Sequence, residues 1–104
     1  MQALVVYVPE THLAQVKQAM FAAGAGKIGN YDQCCWQVKG QGQFRPLEAS
    51  APFCGEKYAV STEVEYRVEM TCTDDCVPAV IAAMQLVHPY EEPAWCAWPV
   101  RSIL

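Results

Sequence analysis

Gly24-Ala25-Gly26-Lys27-Ile28-Gly29-Asn30-Tyr31 (residues 24–31, GAGKIGNY) decides how this chain is read. Its first six letters match G-x-G-x-x-G, the spacing of a dinucleotide-binding turn. In that fold the glycines follow a strand and open a helix, whose free N–H groups and positive dipole end face a pyrophosphate. Here the order is reversed. Pro9-Glu10-Thr11 opens a helix, and Leu13, Val16, Met20 and Ala23 recur at helical spacing. Gly24 then falls just past the last apolar position, where a left-handed cap is expected. A helix C-terminus presents carbonyls and a negative end, which repel phosphate. The nucleotide reading is therefore set aside in favour of a glycine cap followed by a tight turn. A narrower alternative stays open: successive glycine N–H groups could form a small anion nest beside Lys27.

Working outward, Leu4–Val8 is a short strand that is apolar on both faces, as a central strand is. Residues 31–38 read as a second strand, and the Gly40–Pro52 region as an irregular or hairpin segment. Residues 60–72 show the strongest alternation. Val60, Val64, Tyr66, Val68, Met70 and Cys72 share one face, and Ser61, Glu63, Glu65, Arg67, Glu69 and Thr71 the other. A second helix starts after Thr73, with Asp74 and Asp75 in its first turn and Pro78 near its start. Its stripe is Val77, Val80, Ile81, Met84 and Val87, and Pro89 ends it. Residues 94–100 form a last short strand, placed at an edge by Pro93 and Pro99.

The order strand, helix, strand occurs twice. The two helices also echo each other, Leu13 with Val77, Val16 with Val80, Ala19 with Ala83 and Met20 with Met84. This predicts an α+β, ferredoxin-like βαββαβ sandwich over residues 1–104 as a single domain, with a four-stranded antiparallel sheet and two helices on one face. The same topology is taken to bring both helix C-termini to one end. The glycine turn and the His88 segment are therefore expected to be neighbours, with any ligand between them.

At 104 residues the chain can bury a core without staples. It is 53% hydrophobic and 17% charged, an apolar excess that suggests a covered subunit surface. A net charge of −4 excludes a general nucleic-acid binder. Residues 27–57 carry +1 and the remainder −5, so a small anion would be sought in the middle segment. No apolar run is long enough for a signal peptide or a membrane helix. A cytoplasmic protein with six free cysteines follows as the expectation.

His88-Pro89-Tyr90-Glu91-Glu92-Pro93 has two readings. It is a rigid helix-to-strand connector, or His88 with Glu91 or Glu92 holds a divalent ion or moves a proton. Cys72-x-x-x-Cys76 is read as packing before a soft-metal or redox pair. Gly40-Gln41-Gly42-Gln43-Phe44-Arg45-Pro46 is a hairpin extension or a loop covering a ligand. Trp36, Trp95 and Trp98 are expected in the core or an interface. No Ser/His/Asp arrangement is readable.

Three of these stretches, GAGKIGNY, Gly40-x-Gly42-x-Phe44-Arg45-Pro46 and His88-Pro89-Tyr90-Glu91-Glu92-Pro93-Ala94, together resemble the YqfO-type domain. That domain is inserted in some Nif-three-like proteins and also occurs as a short bacterial protein. The His-Pro-Tyr-Glu-x-Pro stretch is also similar to one in the CutA divalent-cation-tolerance proteins, ferredoxin-like trimers related in architecture to the PII signalling proteins. The resemblance implies that fold and a homo-oligomer, trimer or dimer. It implies no enzyme activity: Nif-three-like proteins hold two metals in flanking domains, and His12 and His88 are the only histidines here. The first expectation is thus an oligomeric module that binds or senses a small ligand or a metal, with no cofactor named beyond a divalent ion. Its ligand-binding candidates are Gly24, Gly26, Lys27, Gly29, Tyr31, His88, Tyr90 and Glu91. An interaction module without ligand and a small metal-dependent hydrolase built on His88 are the alternatives.

Overall fold

The computed structural model describes residues 1–101. The first strand, β1 (Gln2–Pro9), leads through a short 3-10 turn into α1 (Leu13–Ala22). Strands β2 (Trp36–Phe44) and β3 (Ser61–Cys72) follow as a long hairpin. A second 3-10 turn precedes α2 (Val77–Val87), and β4 (Trp95–Pro99) closes the chain. The sheet order is β2-β3-β1-β4 with every pairing antiparallel, the α+β ferredoxin-like arrangement.

The core lies between the sheet and the two helices. Leu4, Val6 and Val8 of β1 and Val68, Met70 and Cys72 of β3 meet Val16 and Met20 of α1 and Val80 and Met84 of α2. Each such side chain contributes roughly 1.5–3 kcal/mol on leaving water. The four helix positions are equivalent pairs of the internal echo, so the repeat is the core stripe itself. Val5, on the opposite face of β1, is also buried, as the two-sided apolar pattern requires.

Two expectations change. The second strand starts at Trp36, not residue 31, because Ile28 and Tyr31 bond to each other across Gly29-Asn30 in a small closed loop. It then runs through Gly40 and Gly42, which pair with Glu65 and Glu63 in an edge strand that needs no side chain at those positions. In β3 the alternation holds, with Val68, Met70 and Cys72 buried in the core and Tyr66 packed against it, while Val64, and Val60 just before the strand, stay exposed. The hairpin outruns the helices, and the molecule measures 48 × 24 × 22 Å.

The larger correction concerns the ends. The central strands run antiparallel: Gln2 faces Cys72 and Pro9 faces Glu65. Each helix returns along its own strand, so α1 and α2 are antiparallel too, and their C-termini lie at opposite ends. Gly26 N–H donates to the Thr71 carbonyl (2.9 Å), beside Ala3, whereas His88 is bonded to Tyr7. Those two points on β1 are four residues apart, about 13 Å at a rise of ~3.3 Å per residue. The glycine turn and the His88 segment are not neighbours within the chain.

Candidate functional site

At the glycine end, the residues complete a helix cap. Gly24 N–H donates to Phe21 and Ala25 N–H to Met20, both at 3.1 Å, and Gly24 has φ +119°. These two bonds close a Schellman-type ending, with Ala25 packed in the core near Met20. A Cβ on Gly24 would lie 3.1 Å from Cys76 Sγ, at the start of α2. The N–H groups of Gly24, Ala25, Gly26 and Ile28 are all engaged by protein carbonyls, so these groups offer no anion nest. Lys27, Gly29 and Tyr31 sit on the exposed closed loop beyond. Ile28, Cys34, Cys35, Trp36 and Trp98 line a shallow apolar groove of about 340 Å³ on the sheet face that carries no helix. The tryptophans are therefore outside the core, with Trp36 60% exposed. Of the six free cysteines Cys72 is buried, Cys34, Cys35, Cys54 and Cys76 are half-buried and Cys96 is exposed.

The other end holds a cavity of about 620 Å³. Its floor comes from Tyr7 of β1, Glu65 of β3 and Phe44 of β2, its wall from Tyr90 and Glu91, and its roof from the 45–54 part of the β2–β3 connection. His88 organises this end. Tyr90 N–H donates to His88 Nδ1 (3.1 Å), which leaves the ring proton on Nε2, and Nε2 donates to the Tyr7 carbonyl (2.8 Å). Burial pushes the imidazole pKa down, partly offset by the Tyr7 carbonyl. His88 is thus a neutral, buried strut that carries the Tyr90 backbone, and both its nitrogens are occupied. In this arrangement it presents no free lone pair to a metal or a substrate, so a hydrolase built on His88 finds no support in the ring's geometry.

The Tyr90 hydroxyl donates to Glu65 Oε2 (2.8 Å), and burial, followed by that carboxylate, raises its phenol pKa strongly. Its ring centroid lies 6.1 Å from Phe44 and 6.3 Å from Phe53, both tilted. Gly42 makes this possible: a Cβ there would overlap the Glu65 carboxylate. Glu91 Oε2 accepts the Ala51 N–H (2.6 Å) and so latches the connection onto the segment after α2. Within the connection, Tyr58 is held at φ +65° by its N–H to Pro46 and its hydroxyl to Glu48 (2.8 Å). Burial, then Glu63, pushes the Cys54 thiol pKa up, so it is a poor nucleophile.

Of the eight predicted residues, Tyr90 and Glu91 line the cavity and His88 supports it; Gly24, Gly26, Lys27, Gly29 and Tyr31 lie at the far end. Glu65 and Phe53 are not among the expected residues, and Phe44 is so only within the Gly40–Pro46 stretch offered as a loop covering a ligand. Glu65 reads as a solvent-face residue of an alternating strand, and only the paired glycines opposite it carried a signal. Among the described residues, no group of three or more His, Cys, Asp or Glu side chains is placed to hold a metal ion. No helix among them is long and apolar enough to cross a membrane.

No protein-family model matches the chain. Sequence relatives are nonetheless clear. The chain is 45% identical over 99 residues to the GTP cyclohydrolase 1 type 2 homolog of Halalkalibacterium halodurans, covering 95% of this chain and 27% of that protein. It is 46% identical over 91 residues to the homolog of the same name in Mycobacterium leprae, covering 88% of this chain and 24% of that one. The chain thus spans about a quarter of the length of the curated relatives it matches. In structure it overlays a Bacillus cereus protein related to NIF3 with a TM-score of 0.84 at 36% identity, over 97% of this chain and 26% of that one. It also overlays the CutA protein of Archaeoglobus fulgidus at 0.69 and 14% identity, over 100% and 88%, a likeness of fold. The glycine turn, glycine pair and His-Pro-Tyr-Glu-Glu-Pro segment are therefore the framework of one domain: the chain corresponds to the YqfO-type domain of the Nif-three-like family, in the CutA/PII-like architecture.

Proposed function

We propose that the chain is a non-catalytic, homo-oligomeric module of the cytoplasm that binds a small ligand in the cavity beside Tyr90. One observation carries this reading: a cavity of about 620 Å³ is braced on three sides by His88, by the Tyr90–Glu65 bond and by the Glu91 latch. Small-molecule sites span roughly 300–1,000 Å³ and are mostly apolar with a few placed polar groups. The reading moves the ligand site to Tyr90, Glu91 and their neighbours, and leaves Gly24, Gly26, Lys27, Gly29 and Tyr31 as a structural turn. The cyclohydrolase activity in the relatives' name is not assigned to this chain, which spans about a quarter of them. The helix-free sheet face, with Trp36, Val38 and Trp98 exposed, supports self-association into a dimer or trimer. Neither nucleic acid nor a membrane is a partner in this reading.

Light scattering on the eluting protein, with a thermal-shift screen of small metabolites, nucleotides and divalent ions, tests it. A defined oligomer is expected, together with stabilisation by at least one compound. At a hundredfold excess over Kd that is roughly 2.7 kcal/mol, and each kcal/mol is about 4–8 °C for a domain near this size. Glu91→Ala, which releases the Ala51 N–H, should reduce the shift. A monomer that no compound stabilises would refute both halves of the proposal.

A further inference from the structure

We infer that the cavity is shaped for an organic cation with a flat apolar body, of the arylalkylamine class. This deepens the ligand-binding reading above and rests on it. Four charged side chains line the cavity, Arg45 against Glu65, Glu91 and Glu92, a balance of −2. Glu63 stands close behind, near enough to act on both Cys54 and Tyr90. The middle segment's excess of positive charge is thus reversed in this cavity.

The hydrogen-bond inventory points the same way. Ionised carboxylates only accept. Glu65 uses one oxygen for Tyr90, Glu91 uses one for Ala51, and each keeps a second acceptor oxygen. The Tyr90 O–H already donates to Glu65 and offers no second hydrogen to an anion. Apart from Arg45, the charged groups of the lining only accept, which favours a ligand that brings donors, and an ammonium brings three. The rings of Phe44, Phe53 and Tyr90 supply both apolar cover and negative π-faces, which attract cations. A carboxylate or phosphate ligand would meet three carboxylates with one guanidinium to answer them.

The test uses the full chain, labelled with nitrogen-15, titrated with tyramine, its neutral analogue tyrosol and its acidic analogue para-hydroxyphenylacetate. Tyramine should move the amide signals of Phe53, Cys54 and Tyr90, and the acid should bind at least about tenfold more weakly, as expected where like charges oppose. Glu92→Gln and Glu65→Gln should each weaken tyramine several-fold more than they weaken tyrosol. Among the described residues Glu92 has no hydrogen-bond or ion-pair partner, so its variant stays informative if Glu65→Gln unfolds. Equal or tighter binding of tyrosol or the acid at these amides overturns the cation assignment and leaves the ligand site standing. No movement with any of the three overturns the assignment, and an empty thermal-shift screen would then remove the ligand reading as well.

Discussion

Replacing His88 with alanine tests how the cavity is held. The imidazole is 6% exposed and bridges two backbone groups, the Tyr7 carbonyl at 2.8 Å and the Tyr90 N–H at 3.1 Å. Alanine leaves both without a partner, and each buried unsatisfied group costs about 1–3 kcal/mol. A destabilisation of about 3 kcal/mol is expected, with the Tyr90 segment loosened. The same residue sets a pH dependence. Its folded pKa lies below the usual imidazole value because burial opposes the charge, so the unfolded chain protonates first as pH falls. The stability His88 contributes is therefore fully present above about pH 7.5 and is lost as pH drops through about 6.5 toward its lower folded pKa, with a slope of up to ~1.4 kcal/mol per unit. Urea unfolding followed by circular dichroism between about pH 5.5 and 7.5 measures both effects, in a window where ordinary carboxylates and thiols do not titrate. The alanine variant should be less stable at the upper end and lack the slope. An unchanged slope in the variant, or a loss below about 1 kcal/mol, would refute the strut argument.

Other substitutions address the remaining walls and the far turn. Gly42→Ala should displace the Glu65 carboxylate and free the Tyr90 hydroxyl, costing about 1–3 kcal/mol in chemical denaturation. Glu65→Gln removes the charge that helps hold the Tyr90 proton, so ultraviolet titration should find one tyrosine ionising at lower pH than in the parent protein. Gly24→Ala forces a side chain onto φ +119° and against Cys76, and should cost roughly 1–3 kcal/mol in thermal unfolding without touching the cavity.

How much was legible depended on how local the signal was. The cap at Gly24 and both helix stripes are set by neighbours within one or two turns, and they stand where the pattern put them. The second strand was misplaced because its partner, not its own letters, decides its range: Gly40 and Gly42 read as breakers until β3 is laid beside them. The position of His88 was read correctly as a helix end, but its role was not. A histidine at the end of a helix looks available, and only the Tyr7 carbonyl, 81 residues away in sequence, makes it a neutral strut. The predicted neighbours, the glycine turn and Tyr90, were separated by strand direction, a property of the whole sheet.

Residues 24–31 show the division most plainly. The sequence by itself settles that these glycines follow a helix, and with that the fold, because a helix C-terminus offers carbonyls and cannot cradle a phosphate. It also settles the core, since apolar residues at helical and alternating spacing have one face to bury. The tertiary structure alone decides where the cavity lies and what sign of charge lines it. Tyr7, Phe44, Glu65 and Tyr90 come from four separate segments, and antiparallel pairing of β1, β2 and β3 is what brings them together at one end of the sheet.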